Sequence, residues 1–180
     1  MQEAETPGPI PDGNWPEDIS DLRTGFAGAL NVYRMMAHHP ALLRAWAPLR
    51  QHIVKDTALG PERSEVVILR TGVRLGSSYE WAHHVVRARA IGISDERIAA
   101  ILRMPEGEDG LLARAVDAII DEHRLPESLE QELAATIGRE AVFDLIATVG
   151  FYSVLGTILM TYQVPLDREI ADELEAHPLS

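Results

Sequence analysis

The stretch PERSEVVILRTGVRLGSSYEWAHHVVRARAIGISDERIAAI, residues 61–101, decides the fold. Pro61 follows the turn at Gly60 and suits the first position of a helix, where its missing N–H costs nothing. Val66, Ile68 and Leu69 carry that helix to about Gly72 or Leu75, and Gly76 closes it. Ser77 opens the next helix with Glu80 three residues on, the form of a capping box, and this helix runs to Ala90 and stops at Gly92. Ser94 caps a third, with Asp95 and Glu96 at the positive end of its dipole and Ile93 placed to staple against Ile98.

Working outward, the same spacing near 3.6 recurs and no run of strict alternation interrupts it. Leu22, Phe26, Leu30 and Tyr33 form one stripe, predicting a first helix that ends near His38, because His39 precedes Pro40 and is pushed out of the α region. Leu42, Trp46, Leu49 and Ile53 form a second stripe. Beyond residue 101, Met104 to Gly110 reads as a loop. Leu112, Ala115, Val116 and Ile119 define a helix, Pro126 begins a short one ending at Gly138, and a long one runs from about Glu140 to Gln163. The expected fold is an all-α, single-domain multi-helix bundle over residues 18–168. An acidic Pro/Gly-rich arm, residues 1–17, precedes it, and an acidic tail, residues 169–180, follows it.

Composition narrows the chemistry. The 180 residues are 46% hydrophobic and 24% charged, enough apolar chain for a core. Sixteen Lys and Arg against 28 Asp and Glu leave a net charge of −12, which argues against a nucleic-acid partner. Much of that charge sits at the ends, which reads as mobile, solubilising tails. Cysteine is absent, which removes thiolate nucleophiles, disulfides and Cys-ligated metals. The first fifteen residues have neither a basic region nor an apolar one, so a cytoplasmic location is expected. Leu145 to Leu166 carries no charge and is long enough to cross a bilayer core of roughly 30 Å. Its Thr148, Ser153, Thr157 and Thr161, its two glycines and the breaker Pro165 argue instead for a helix buried on all sides, partly by a partner subunit, and against a membrane span.

The densest polar cluster is Ser77-Ser78-Tyr79-Glu80-Trp81-Ala82-His83-His84. On a helix Glu80 lies one turn from His83 and His84, so a carboxylate and an imidazole share a face, the pairing a general acid/base histidine needs. The alternative is that Glu80 only completes the cap with Ser77. Glu65 stands in an otherwise apolar run: facing inward it is a proton carrier, facing outward a solvated first-turn acid. Arg70 and Arg74 are either exposed or a fork for an anionic substrate. Adjacent histidines point about 100° apart and do not close on one ion, and the His-Glu-x-x-His pattern is missing, so no metal is expected. His38, His39, His52 and His123 read as structural or exposed, and His177 as solvated.

At this cluster the sequence resembles the carboxymuconolactone decarboxylase and alkylhydroperoxidase D superfamily. NVYRMMAHHPALLRAW and VGFYSVLGTILMTYQVPLD also look like its longer members, so the likeness spans roughly residues 20 to 168. The peroxidase branch carries a Glu, a Cys-x-x-Cys twelve residues later and a His four after the second Cys. Here Glu65, Ser77, Glu80 and His84 occupy those places. With both cysteines replaced, thiol peroxidase activity is not expected. The resemblance to the decarboxylase branch implies a cofactor-free carboxy-lyase acting on a small carboxylated lactone or related organic acid, assembled as trimers or hexamers. By that likeness His84 protonates carbon, Glu80 orients and recharges it, and Glu65 relays protons, with Ser77, Trp81 and Arg70 or Arg74 touching substrate. The competing expectation is a non-catalytic oligomeric binding or structural protein on the same scaffold.

Overall fold

In the computed structural model, which describes residues 6–179, the described residues form eleven α-helices and no strand. Helix α1 spans Ser20–Arg23, α2 Phe26–Ala29, α3 Asn31–Met36 and α4 Pro40–Gln51, with a π-helical turn over His52–Asp56. Helix α5 spans Pro61–Leu75, α6 Ser78–Ala90, α7 Asp95–Ile101, α8 Gly107–Glu122, α9 Glu127–Ile137, α10 Arg139–Thr161 and α11 Arg168–Ala176.

Helix α5 is the axis of the molecule. Pro61 is its first residue and Gly76, at φ 71°, turns the chain out of it. Every residue from Ser64 to Gly72 is buried. One core, including Val66, Leu69, Leu112, Val116 and Leu145, lies towards α8 and α9. A second, including Ile68, Tyr33, Leu43, Trp46, Phe151 and Leu155, lies towards α3, α4 and the C-terminal half of α10. Each fully buried Val, Leu or Ile contributes about 1.5–3 kcal/mol, so α5 is held from both flanks.

Two expectations change. The first predicted helix is three short ones, because Leu30 takes an extended conformation, φ −125° and ψ 137°, between α2 and α3. That break turns the Asn31 amide towards Asp167, whose Oδ1 accepts from it at 3.0 Å. The terminal segments are not free tails. Arg34 donates to the Ile10 carbonyl at 2.9 Å and to Asp12 at 2.7 Å, while residues 168–176 form α11, tied to α6 through Arg89 and the His177 carbonyl at 2.7 Å. The expectations for residues 1–5 and Ser180 lie outside the described residues.

Helix α10 is long and apolar enough to cross a membrane by length and composition, yet 56% of its most apolar window is packed inside the molecule. Within the single chain it is not buried on all sides. Phe143, at 69% exposure, Ile146 and Val154 leave one stripe open, separated by intervals close to helical turns.

Candidate active site

Two antiparallel helices build the site. Helix α6 places Glu80, His84 and Arg87 at i, i+4 and i+7, hence on one side, and α5 presents Glu65 to them. The helices meet closely where Gly72 faces the start of α6: a Cβ there would stand 3.4 Å from the Trp81 nitrogen and 3.5 Å from Glu80 Cβ. Ser77 Oγ accepts from the Glu80 amide at 3.4 Å, but the Ser77 amide donates to the Gly72 carbonyl at 2.9 Å. The cap therefore does not use the Glu80 carboxyl, which turns to His84 instead.

His84 stands between two carboxyl groups. Its Nδ1 is 2.6 Å from Glu65 Oε2 and its Nε2 is 3.6 Å from Glu80 Oε2. All three residues are buried, His84 at 3% exposure, Glu80 at 4% and Glu65 at 8%. Burial pushes the Glu80 carboxyl up to about 8; the nearby Arg87 charge pulls it down and that of Glu65 adds to the rise. Burial also pushes the His84 imidazole below its ordinary value, against the opposing pull of Glu65. These shifts favour a neutral imidazole whose Nδ1–H donates to Glu65, with Nε2 free to accept from a protonated Glu80. The Tyr152 ring packs at right angles to the imidazole, centroids 5.0 Å apart, and fixes its plane.

A cleft of about 420 Å³ opens beside this line, between the π-helical turn, the start of α5, the end of α6 and α10. Ile53, Ile68 and Ile91 give it apolar walls, and Lys55, Ser64, Glu65, Arg87 and Tyr152 its polar ones. Behind Glu65 lies a cavity of about 20 Å³ lined by residues that include Glu80, His83, His84 and Tyr33. One water needs about 10–15 Å³, and Glu80 Oε1, buried with no hydrogen-bond partner, is a group such a water would satisfy. Arg87 and Tyr152 line both spaces. Among the described residues no cluster of three or more His, Cys, Asp or Glu could hold a metal ion.

The structure brings Glu65, Glu80 and His84 together and redistributes the rest. Glu65 is the inward-facing acid, and it, rather than His84, forms the cleft wall; both nitrogens of His84 face carboxyl groups, which makes it an internal link. Arg70 does not anchor an anion, because its guanidinium is spent on Asp117, at 2.8 and 2.6 Å, and on the carbonyls of Ile101 and Arg103. Arg74 is likewise taken by Asp117 at 2.9 Å and Asp121 at 2.6 Å. Ser77 is a helix cap, 2% exposed, and Trp81 packs against the α8 and α9 core; neither lines the cleft.

Four contributors escaped the sequence reading: Arg87, Tyr152, Ser64 and Lys55. Arg87 was findable, one turn beyond His84 on the same helical face. Its Nε lies 3.6 Å from Glu65 Oε1. His83, the other imidazole of the pair, faces away to Asp167 Oδ2 at 3.0 Å and stacks on Tyr79, whose hydroxyl donates to the same carboxylate. Burial pushes the Asp167 carboxyl up, but the hydrogen bonds from His83, Tyr79 and the Asn31 amide hold it below its ordinary value.

An all-α hairpin that buries a carboxyl–imidazole–carboxyl line beside a cleft defines a class of helical acid/base sites. Comparison with known proteins gives a likeness: the model of the Carboxymuconolactone decarboxylase family matches residues 40–120 of this cysteine-free chain. No curated protein sequence matches the chain significantly. Among solved structures, the debrominase Bmp8 in its apo form is similar with a TM-score of 0.72 at 15% identity, covering 97% of this chain and 98% of that one. A cysteine-to-alanine variant of Bmp8 in complex with 2,3,4-tribromopyrrole is similar with a TM-score of 0.71 at 14% identity and the same coverage. At such identities the likeness establishes the shared fold.

Proposed function

We propose that this protein is a cofactor-free acid/base enzyme that removes a carboxyl group from a small carboxylated lactone or related organic acid. The carrying observation is the Glu65–His84–Glu80 line, with one end in the cleft wall and the other in a small cavity behind it. The bond to the departing carboxylate breaks, carbon dioxide leaves, and the electron pair passes into the conjugated carbonyl system of the substrate. Glu65 delivers to carbon a proton that it receives from His84 Nδ1–H, as Glu80, which holds its proton near neutral pH, protonates Nε2. A solvent proton entering from the cleft at Glu65 then restores Nδ1–H, and Nε2 returns its proton to Glu80. One solvent proton is consumed per turnover, and no thiol or redox partner enters the balance.

The cleft volume suits a single small ring, the size of the tribromopyrrole bound by the Bmp8 variant. Carbon dioxide release from carboxymuconolactone and related carboxylated lactones tests the reading. The native protein is expected to release it, and a folded Glu65→Gln variant to be about 10²–10⁴-fold slower, the usual worth of a positioned acid/base group. No release by the native protein, or an unimpaired Glu65→Gln variant, would contradict it.

A further inference from the structure

Many of the cations of this acidic chain are spent on carboxylates, whereas the two at the cleft are not tightly held. Arg44, Arg63, Arg70, Arg74, Arg89 and Arg97 all hold Asp or Glu at 2.5–2.7 Å. The Arg87 side chain makes no hydrogen bond among the described residues: its contact with Glu65 is a looser 3.6 Å, and it is 40% exposed where it lines the cleft. Lys55, the only lysine in the sequence, lines the same cleft and has no ion-pair partner among the described residues. The π-helical turn His52–Asp56 holds it there.

A third group converges on these two. Ser64 lines the cleft, is 8% exposed, and its buried Oγ has no hydrogen-bond partner. A hydroxyl left unpaired in a protein interior costs free energy unless a ligand supplies the partner. It sits in the first turns of α5, a 15-residue helix whose start, Gly60 and Pro61, forms part of the same wall and adds the positive end of the helix dipole. The first-turn acid that would neutralise that end, Glu62, is drawn off by Arg97 at 2.6 Å.

We propose that Arg87, Lys55 and the Ser64 hydroxyl form an anion seat in the cleft that receives a carboxylate of a small organic acid and fixes its ring against Glu65. The assignment deepens the reading of the cleft as a substrate site and rests on it. It moves the anchoring role from Arg70 and Arg74, which are held on Asp117 and Asp121 and do not line the cleft, to the two cations that do.

Calorimetric titration with benzoate, and with benzamide as its uncharged counterpart, tests the seat without any turnover. Benzoate is expected to bind about tenfold or more tightly than benzamide, as hydrogen bonds to charged groups warrant. Arg87→Gln and Lys55→Gln should each remove most of that preference, and Ser64→Ala a smaller part. Lys55 is exposed, so its substitution leaves the fold intact. Equal binding of benzoate and benzamide, or a preference untouched by both substitutions, would overturn the seat. Glu65→Gln separates the two proposals: it should abolish carbon dioxide release while keeping or strengthening benzoate binding, so either proposal can fail while the other stands.

Discussion

Helix α5 carries two charged clusters in opposite states. Towards α8, Arg70 and Arg74 close on Asp117, and every nitrogen of the buried Arg70 fork has an acceptor. Towards α6 and the cleft, Glu65 shares His84 with Glu80, one Glu80 oxygen has no partner, and Arg87 stands off at 3.6 Å. The first is a lock: the fixed geometry leaves nothing to exchange. The second has protons and hydrogen bonds still to place, and it borders a cavity. Charge and burial alone do not tell a working site from a brace, whereas incomplete satisfaction next to open volume does.

Two substitutions sharpen that contrast. Arg70→Ala should cost about 3–5 kcal/mol of stability, read as a lowered denaturant midpoint, because it leaves Asp117 and two buried carbonyls short of a partner. Arg87→Ala, removing a loosely paired and partly exposed side chain, should cost under about 1 kcal/mol. Equal losses would erase the distinction between lock and site.

The protonation of Glu80 gives an effect that is spread over pH. Its folded value of about 8 lies above the 4.5 of an ordinary glutamate, so the folded state holds a proton that the unfolded chain releases. This contribution to stability is fully present below pH 4.5 and is lost as pH rises through 8, at about 1.4 kcal/mol per pH unit within the window. Denaturant midpoints of Glu80→Gln measured from pH 5 to 8 should lack that slope. A slope equal to that of the native protein would place the titrating group elsewhere.

The hairpin was legible because its signals are local. Pro61, Gly76, Ser77, Gly92 and Ser94 mark boundaries within a residue or two of where α5, α6 and α7 begin and end. The 12- and 4-residue intervals among Glu65, Ser77, Glu80 and His84 singled out the three side chains that meet in the buried line. The failures were long-range. Nothing near Arg70 announces Asp117, 47 residues on, and nothing near Leu30 announces that Asp167 waits for the next amide. The stripe through Leu22, Phe26, Leu30 and Tyr33 is real, but three short helices satisfy it as well as one long one. The role of His84 turned on which way its two nitrogens face, and sequence spacing carries no such direction.

The central claim is that His84 is a neutral link donating from Nδ1 to Glu65. Long-range ¹H–¹⁵N correlation of the His84 ring in ¹⁵N-labelled protein measures this directly. At pH 7 the spectrum should show a protonated Nδ1 and a bare Nε2, and the ring should remain neutral below the ordinary histidine value of about 6.5. A doubly protonated ring at pH 7, or a proton on Nε2 in place of Nδ1, would contradict it.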